Sequence, residues 1–252
     1  MKISIITVCF NSATTISESI QSVLSQTYPD IEYIIVDGDS KDDTMKTIES
    51  YSEGINKIIS EKDRGIYDAM NKGIRASTGD VIGFLNSDDI FNTNDIIQKI
   101  ANEFESSDIE AVYGELVLVD PFDLSKVIRY WKPGPYINGS CLKGWMPPHP
   151  TFYARRTTLL AVGGFNIQYR LQADVDLMIR LFEIRKISSI YIPTLFVRQR
   201  FGGATTGSIL NILRGNMEAA LSFSRNGFGF PFLFIFNKIM NRIPQFFKRP
   251  PP

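Results

Sequence analysis

The run Val81-Ile82-Gly83-Phe84-Leu85 passes straight into Asn86-Ser87-Asp88-Asp89. Its first five positions have strand length, and a strand covered on both faces reads as continuous rather than alternating apolar sequence. The carboxylates then fall where that strand ends. The same unit recurs towards the N-terminus. Residues 3–10 form an apolar run, after which Asn11 or Ser12 can cap a helix presenting Ile16, Ile20, Val23 and Leu24 on one face. A second strand is predicted over 31–36, a polar loop over 37–43 and a helix with Met45 and Ile48 inward. A third strand follows over 57–60 and a third helix over 66–76. Strands alternating with helices predict an α/β fold, a doubly wound and mostly parallel sheet flanked by helices. Such sheets bind ligands at the carboxyl ends of their strands. The acidic clusters Asp37-Gly38-Asp39, Glu61-Lys62-Asp63 and Asn86–Asp89 all fall at those ends.

Towards the C-terminus the periodicity predicts a helix over 94–104, strands over 111–119 and 127–131, and helices over 156–162 and 174–184. Residues 132–150, rich in Pro and Gly, read as a long irregular loop over the site. The stretch 202–207 reads as a linker, which divides the chain into a domain of residues 1–207 and a tail of residues 208–252.

Length and composition narrow the class. A chain of 252 residues with 44% apolar and 21% charged residues can build its own core. Two cysteines are too few for a disulfide framework and suit a reducing compartment; Cys9, inside the first strand, reads as a small buried apolar residue. No apolar run reaches the ~18 residues of a spanning helix, and the apolar start reads as a strand rather than a signal peptide. The net charge is zero, yet from Arg198 onward eight basic residues face one acid, so that segment is +7 and the rest of the chain −7. Nine of the 18 phenylalanines lie between Phe201 and Phe247. Such a basic, Phe-rich end suits an anionic membrane surface or a nucleic acid, and the apolar run 228–236 favours the membrane interface. No nucleic-acid partner is expected. The tail helix should carry Ile209, Ile212, Leu213, Met217 and Leu221 on one side.

Carboxylates at strand ends, with no Gly-rich phosphate loop, suit a hard divalent cation, Mn²⁺ or Mg²⁺, completed by substrate phosphates. The absence of G-x-G-x-x-G and G-x-x-x-x-G-K-[ST] argues against NAD and against P-loop ATP hydrolysis. The local chemistry therefore points to a nucleotide diphosphate held through a metal; a helix cap or solvated turn is the bland reading of Asp88 and Asp89.

Ile6-Thr7-Val8-Cys9-Phe10-Asn11, Val36-Asp37-Gly38-Asp39-Ser40 and Gly83-Phe84-Leu85-Asn86-Ser87-Asp88-Asp89 together resemble the family 2 glycosyltransferases of the GT-A fold. So do Asp63-Arg64-Gly65-Ile66-Tyr67-Asp68-Ala69-Met70-Asn71-Lys72, Pro148-His149-Pro150 and Ala173-Asp174-Val175-Asp176. The similarity covers about the first 205 residues and is nearest to bacterial enzymes that build capsule, O-antigen and other exopolysaccharides. It implies an inverting transfer from a nucleotide-diphosphate sugar, with UDP favoured, to a glycan or lipid-linked acceptor on the inner face of the cytoplasmic membrane. Asp37 and Asp39 would hold base and ribose, and Asp63 and Lys72 would line the nucleotide pocket. Asn86, Ser87 and Asp88 would meet the donor, with Asp88 as the metal-binding acid. Asn86 stands where that motif usually has its first Asp, so it brings a hydrogen-bonding group and no charge. Asp174 would be the catalytic base, preceded by Ala173 in place of the usual Glu. His149, the only histidine, would sit near the phosphates or the metal.

Three readings stay open on the residues alone. Asp176 reads as an ion pair with Arg180 at i,i+4. Arg198 and Arg200 either clamp the departing diphosphate or are exposed strand-end charges. For the protein as a whole, the competing classes are a membrane-tethered nucleotide-sugar-binding protein without turnover and a sugar nucleotidyltransferase. The latter would need a Gly-rich basic loop after the first strand, where Cys9-Phe10-Asn11-Ser12 stands.

Overall fold

The computed structural model describes residues 1–202 and 209–250, so the expected linker lies largely outside the described residues. The first half is the expected strand–helix alternation: β1 (Ile3–Cys9), α1 (Ile16–Leu24), β2 (Ile31–Asp37), α2 (Thr44–Glu49), β3 (Lys57–Ser60), α3 (Ile66–Ala76) and β4 (Val81–Phe84). These strands are parallel, in the order β3-β2-β1-β4. Ile3 and Ile5 face α1 and α4 (Ile96–Ser106), whereas Ile6 and Val8 face α3 and α6 (Ala173–Met178). Successive side chains on a strand point to opposite faces, so covering both faces demands an unbroken apolar run. Cys9, Asp37 and Ser60 share one register position at the strands' carboxyl ends, and this forms one ledge of the site.

The second half of the sheet is mixed. β8 (Tyr153–Arg155) runs antiparallel between β4 and β6 (Ala111–Val119); β9 (Ser189–Arg200) lies parallel to β6, and β5 (Asp89–Phe91) and β7 (Val127–Trp131) are antiparallel additions. Gly83 is obligatory here, because a Cβ at that position would lie 1.9 Å from the Tyr153 ring on the neighbouring β8.

Two local expectations are corrected. Leu24 is 41% exposed rather than inward. The helix also starts later than an Asn11 or Ser12 cap implies, with Thr15 before its first residue. Asn11 and Ser12 are engaged elsewhere: the Asn11 N–H donates to Ser40 Oγ and the Ser12 N–H to Thr44 Oγ1, tying this loop to the one after β2.

The tail forms α7 (Ile209–Arg225) and α8 (Phe232–Met240), which pack on the body. Ala219, Phe223 and Phe234 close a small core with Val175 and Ile179, following the start of α6. The Glu218 carboxylate accepts the backbone N–H groups of Arg170, Leu171 and Gln172 at 3.0, 2.7 and 3.1 Å, just ahead of α6. Asp176, on α6, accepts from Ser222 at 2.8 Å and Asn226 at 3.0 Å, and pairs with Arg180 at 2.7 Å. Of the face expected to carry Ile209, Ile212, Leu213, Met217 and Leu221, the side chains of Ile209 and Ile212 lie outside what the structure describes, and Leu213, Met217 and Leu221 point outward, at 56%, 67% and 50% exposure. Across the expected division near Gly207, then, an apolar core and a set of buried hydrogen bonds join tail and body.

Candidate active site

A cavity of about 1030 Å³ opens at the carboxyl ends of β1 and β4 and runs between the 132–150 loop, the start of α6 and the tail. Its first pole is the turn after β4. Asn86 Nδ2 donates to Asp89 Oδ2 at 3.0 Å, and Gln199 Nε2 donates to the same oxygen at 3.1 Å. Asp89, fully buried, is thus a brace beneath the turn. Asp88 lies above it and lines the cavity, its carboxylate free of side-chain donors among the described residues. Burial lifts Asp88 above the ordinary carboxylate range, and it lifts Asp89 further because the charge of Asp88 adds to the effect. Arg200 holds the turn from below: it donates to the Asp88 carbonyl at 2.6 Å and pairs with Glu18 at 2.7 Å. Ser87, 8% exposed, shares a 2.9 Å hydrogen bond with Ser12.

The second pole is the start of α6. Asp174 faces the cavity there, accepting the Tyr67 hydroxyl at 3.2 Å and its neighbour's N–H at 2.9 Å. Burial and the Asp174 charge push the Tyr67 phenol well above its usual range, so it stays a donor. His149 lines the cavity wall with its ring 5.5 Å from Phe84 and 5.4 Å from Phe165. Burial lowers its pKa, opposed by Asp174, and both ring nitrogens are sealed without a partner.

The residues expected to hold base and ribose form a separate, well-bonded patch beside the cavity. Asp37 is fully buried, accepting the Ser40 N–H at 3.0 Å and the Ser60 hydroxyl at 2.8 Å. Asp39 takes a left-handed backbone (φ 68°) and pairs with Lys41 at 2.7 Å. Asp63 accepts the Gly65 N–H at 2.8 Å and presses on Gly38, where a Cβ would lie 2.5 Å from its carboxylate. Lys72 binds the Lys62 carbonyl at 2.7 Å and Glu61 at 2.9 Å, bracing that loop. None of these four lines the cavity itself. Arg198 is turned away as well, bonded to Asn92 at 2.9 Å and to the Leu124 carbonyl at 3.1 Å. Of the two arginines expected as a clamp, Arg200 alone lines the cavity.

Three cavity residues escape the sequence reading: Arg129 on β7, and Lys238 and Arg242 from the tail. Their charges look like surface charges in the sequence, because nothing local reveals that the tail folds over the site.

For a divalent cation the donor set is thin yet suited to one completed by substrate. Asp88 supplies an unpartnered carboxylate and Asn86 a buried, unpaired Oδ1. Among the described residues no three His, Cys, Asp or Glu side chains converge as a preformed metal cage would require. Mg²⁺ and Mn²⁺ sites commonly use one or two carboxylates with substrate phosphates supplying the rest.

The sequence model of the family described as Glycosyl transferase family 2 matches residues 4–163. A PGL/p-HBAD biosynthesis glycosyltransferase of Mycobacterium bovis (strain BCG / Pasteur 1173P2) is 28% identical over 214 residues, 79% of this chain and 77% of the relative. Among solved structures, S. aureus TarS 1-349 in complex with UDP superposes with a TM-score of 0.67 at 17% identity, covering 88% of this chain and 65% of that one. The mannosyltransferase PcManGT from Pyrobaculum calidifontis, in complex with GDP-Man and Mn2+, gives 0.67 at 19% identity, over 94% of this chain and 68% of that one. At such identities these likenesses establish the fold, α/β with a mixed sheet flanked by helices.

Proposed function

Because the chain belongs to glycosyl transferase family 2, we propose that it moves a sugar with inversion from a nucleotide-diphosphate donor to a hydroxyl of a glycan or lipid-linked acceptor. The observation that carries this reading is the pairing of two carboxylates across one cavity: Asp88 at the end of β4 and Asp174 at the start of α6. Tyr67 occupies one oxygen of Asp174, which leaves the other to receive a proton. Asp174 takes the proton of the acceptor hydroxyl as the oxygen attacks the anomeric carbon. The bond to the diphosphate breaks on the opposite face, and the diphosphate leaves with the electron pair. General bases of this kind contribute about a hundred- to ten-thousand-fold in rate. His149, neutral because of its burial, adds no competing charge. Asp88 and the unpaired Asn86 Oδ1 are the groups that would hold a divalent cation, which when bound supplies positive charge against the leaving diphosphate. The UDP and GDP-Man named for the structural neighbours support a nucleotide-sugar donor, and UDP is the nucleotide favoured here.

The outer face of the tail suits the interface of an anionic membrane, on its cytoplasmic side. Leu213, Met217, Phe232 and Phe236 are exposed, and Arg214, Arg225, Lys248 and Arg249 lie on the same segment. No helix among the described residues is long and apolar enough to cross a membrane. Each basic residue near such a surface adds about 1 kcal/mol, and the apolar side chains hold what salt cannot screen. Flotation with anionic liposomes checks this: replacing Phe232 and Phe236 with Ser should make the protein salt-extractable, and full retention would reject the membrane surface.

The test of transfer is nucleoside diphosphate release from a panel of UDP- and GDP-sugars in Mn²⁺. Release from a donor, lost in Asp174→Asn, is the expected result. Donor binding with no release in the presence of acceptor lipid extracts would favour the reading as a binding protein.

A further inference from the structure

The tail end of the cavity gathers three cationic side chains that form no ion pair among the described residues. Arg129 is only 8% exposed, lies over the Trp131 ring at 5.3 Å and the Phe246 ring at 6.0 Å, and makes no hydrogen bond or ion pair with any described residue. Its Nε is buried without an acceptor. Burial, with Arg242 nearby, brings its pKa down to about 10. Arg242 likewise has no side-chain partner among the described residues, and burial lowers it too. Lys238 has one neutral partner, Gln172 Oε1 at 2.9 Å, and burial together with Arg242 lowers it to about 8. Removing cations from water without a counter-charge is costly, and placing several together compounds the cost. Proteins tolerate this where an anion completes the site, and guanidinium groups match phosphate oxygens in geometry. The one carboxylate that eases Lys238 and Arg242 electrostatically is Asp174, so the cluster borders the candidate base.

We propose that Arg129, Lys238 and Arg242 form a phosphoryl-binding subsite, separate from the Asp88 pole, that holds a phosphate or diphosphate carried by the acceptor. Two placements favour the acceptor as the source. Lys238 and Arg242 belong to the segment whose Phe236, Met240 and Phe247 are exposed, so a phosphate here would lie under an apolar surface fit for a lipid chain. The donor's diphosphate belongs with Asp88, at the other pole. The cation cluster stands by itself; only its assignment to an acceptor rests on the glycosyl-transfer reading.

The experiment is calorimetry on the full chain in EDTA with inorganic pyrophosphate, at constant ionic strength and with sulfate as control. Pyrophosphate should bind without metal, and Arg242→Gln should weaken it about tenfold, the scale of one charge-assisted contact. Arg242 has no side-chain partner to lose among the described residues, so that variant should keep its fold; an unchanged melting temperature checks this. Titration is then repeated with saturating UDP and Mn²⁺. Pyrophosphate that still binds, and that decyl phosphate displaces, places the acceptor's phosphate in the subsite. Displacement of pyrophosphate by UDP would overturn the acceptor assignment. No metal-free pyrophosphate binding, equal binding of sulfate, or no effect of Arg242→Gln would overturn the subsite. Failure of both UDP and GDP to bind while pyrophosphate binds would reject the transferase reading and leave the subsite standing.

Discussion

The first ninety residues and the tail from Ile209 obey opposite rules. In β1, β2 and α1 the apolar side chains turn inward, Leu24 at the helix end excepted, and Asp37 ends β2 beside the site. In α7 the apolar Leu213, Met217 and Leu221 face out, and the contacts with the body combine Phe223 (2% exposed) and small Ala219 (0%) with polar Glu218 (7%) and Ser222 (0%). Apolar periodicity foretells burial where a sheet stands ready to cover the helix. A helix that docks on other helix ends can do so through carboxylates and hydroxyls, and its apolar face is then left for something outside the chain.

That contrast suggests how the two regions divide the work, and it can be broken. The largest effect should come from the α6 pole: Asp174→Asn keeps the side chain's shape and abolishes its basicity. Sugar transfer should fall about a hundred- to ten-thousand-fold while UDP affinity by calorimetry stays within threefold. A variant active within threefold would move the base elsewhere.

The tail's share is tested by Phe234→Ala. Phe234 is 1% exposed in the core that α7 and α8 share with α6, and such truncations cost about 3–5 kcal/mol. Urea unfolding should show that loss. A cost under about 1 kcal/mol would mean the tail is loosely held and would restore the sequence's simple division near Gly207.

The nucleotide pole should answer to charge. Asp88→Ala should remove the Mn²⁺ dependence of UDP binding and weaken it at least about tenfold, the scale of a charged contact. Asn86→Asp should tighten the metal dependence if Asn86 Oδ1 faces the cation. Equal UDP affinity in EDTA and Mn²⁺ for the wild type would remove the metal from the account.

A smaller effect concerns His149. Its folded pKa lies below the ordinary 6.5, so below that pH the unfolded chain binds the extra proton. Stability is therefore full above about pH 6.5 and declines as pH falls, by at most about 1.4 kcal/mol per unit. Asp88 and Asp89, raised by burial, titrate with the opposite sign, so the difference between wild type and His149→Leu isolates the imidazole. The wild type should lose stability relative to His149→Leu between about pH 7.5 and pH 5.5 in thermal melts; a constant difference would contradict a buried neutral ring.

Much of this site is readable in advance for local reasons. Asp88 stands out by ending an apolar strand, Asp174 through the family resemblance of the motif around it, and the i,i+4 spacing of Asp176 and Arg180 fits their 2.7 Å pair. The rest depends on contacts far apart in sequence. That Asp37 is consumed by Ser40 and Ser60 depends on strand register. Arg198 and Arg200 stand two apart on β9, so the strand period puts them on one face, and what separates them is distant partners: Asn92 and the Leu124 carbonyl for Arg198, the Asp88 carbonyl and Glu18 for Arg200. The basic tail residues divide between cavity and surface only once Glu218 and Asp176 fix how α7 docks, and no local pattern encodes that.

The claim that the tail holds the candidate base in place is tested most directly by amide hydrogen exchange on Glu218→Ala. The Glu218 carboxylate is the acceptor for the N–H groups of Arg170, Leu171 and Gln172, and losing such a cap typically costs about 0.5–2 kcal/mol. Exchange at residues 170–178 should quicken several-fold while β1 and β2 keep their protection. Unchanged exchange at 170–178, or an equal rise in β1 and β2, would contradict it.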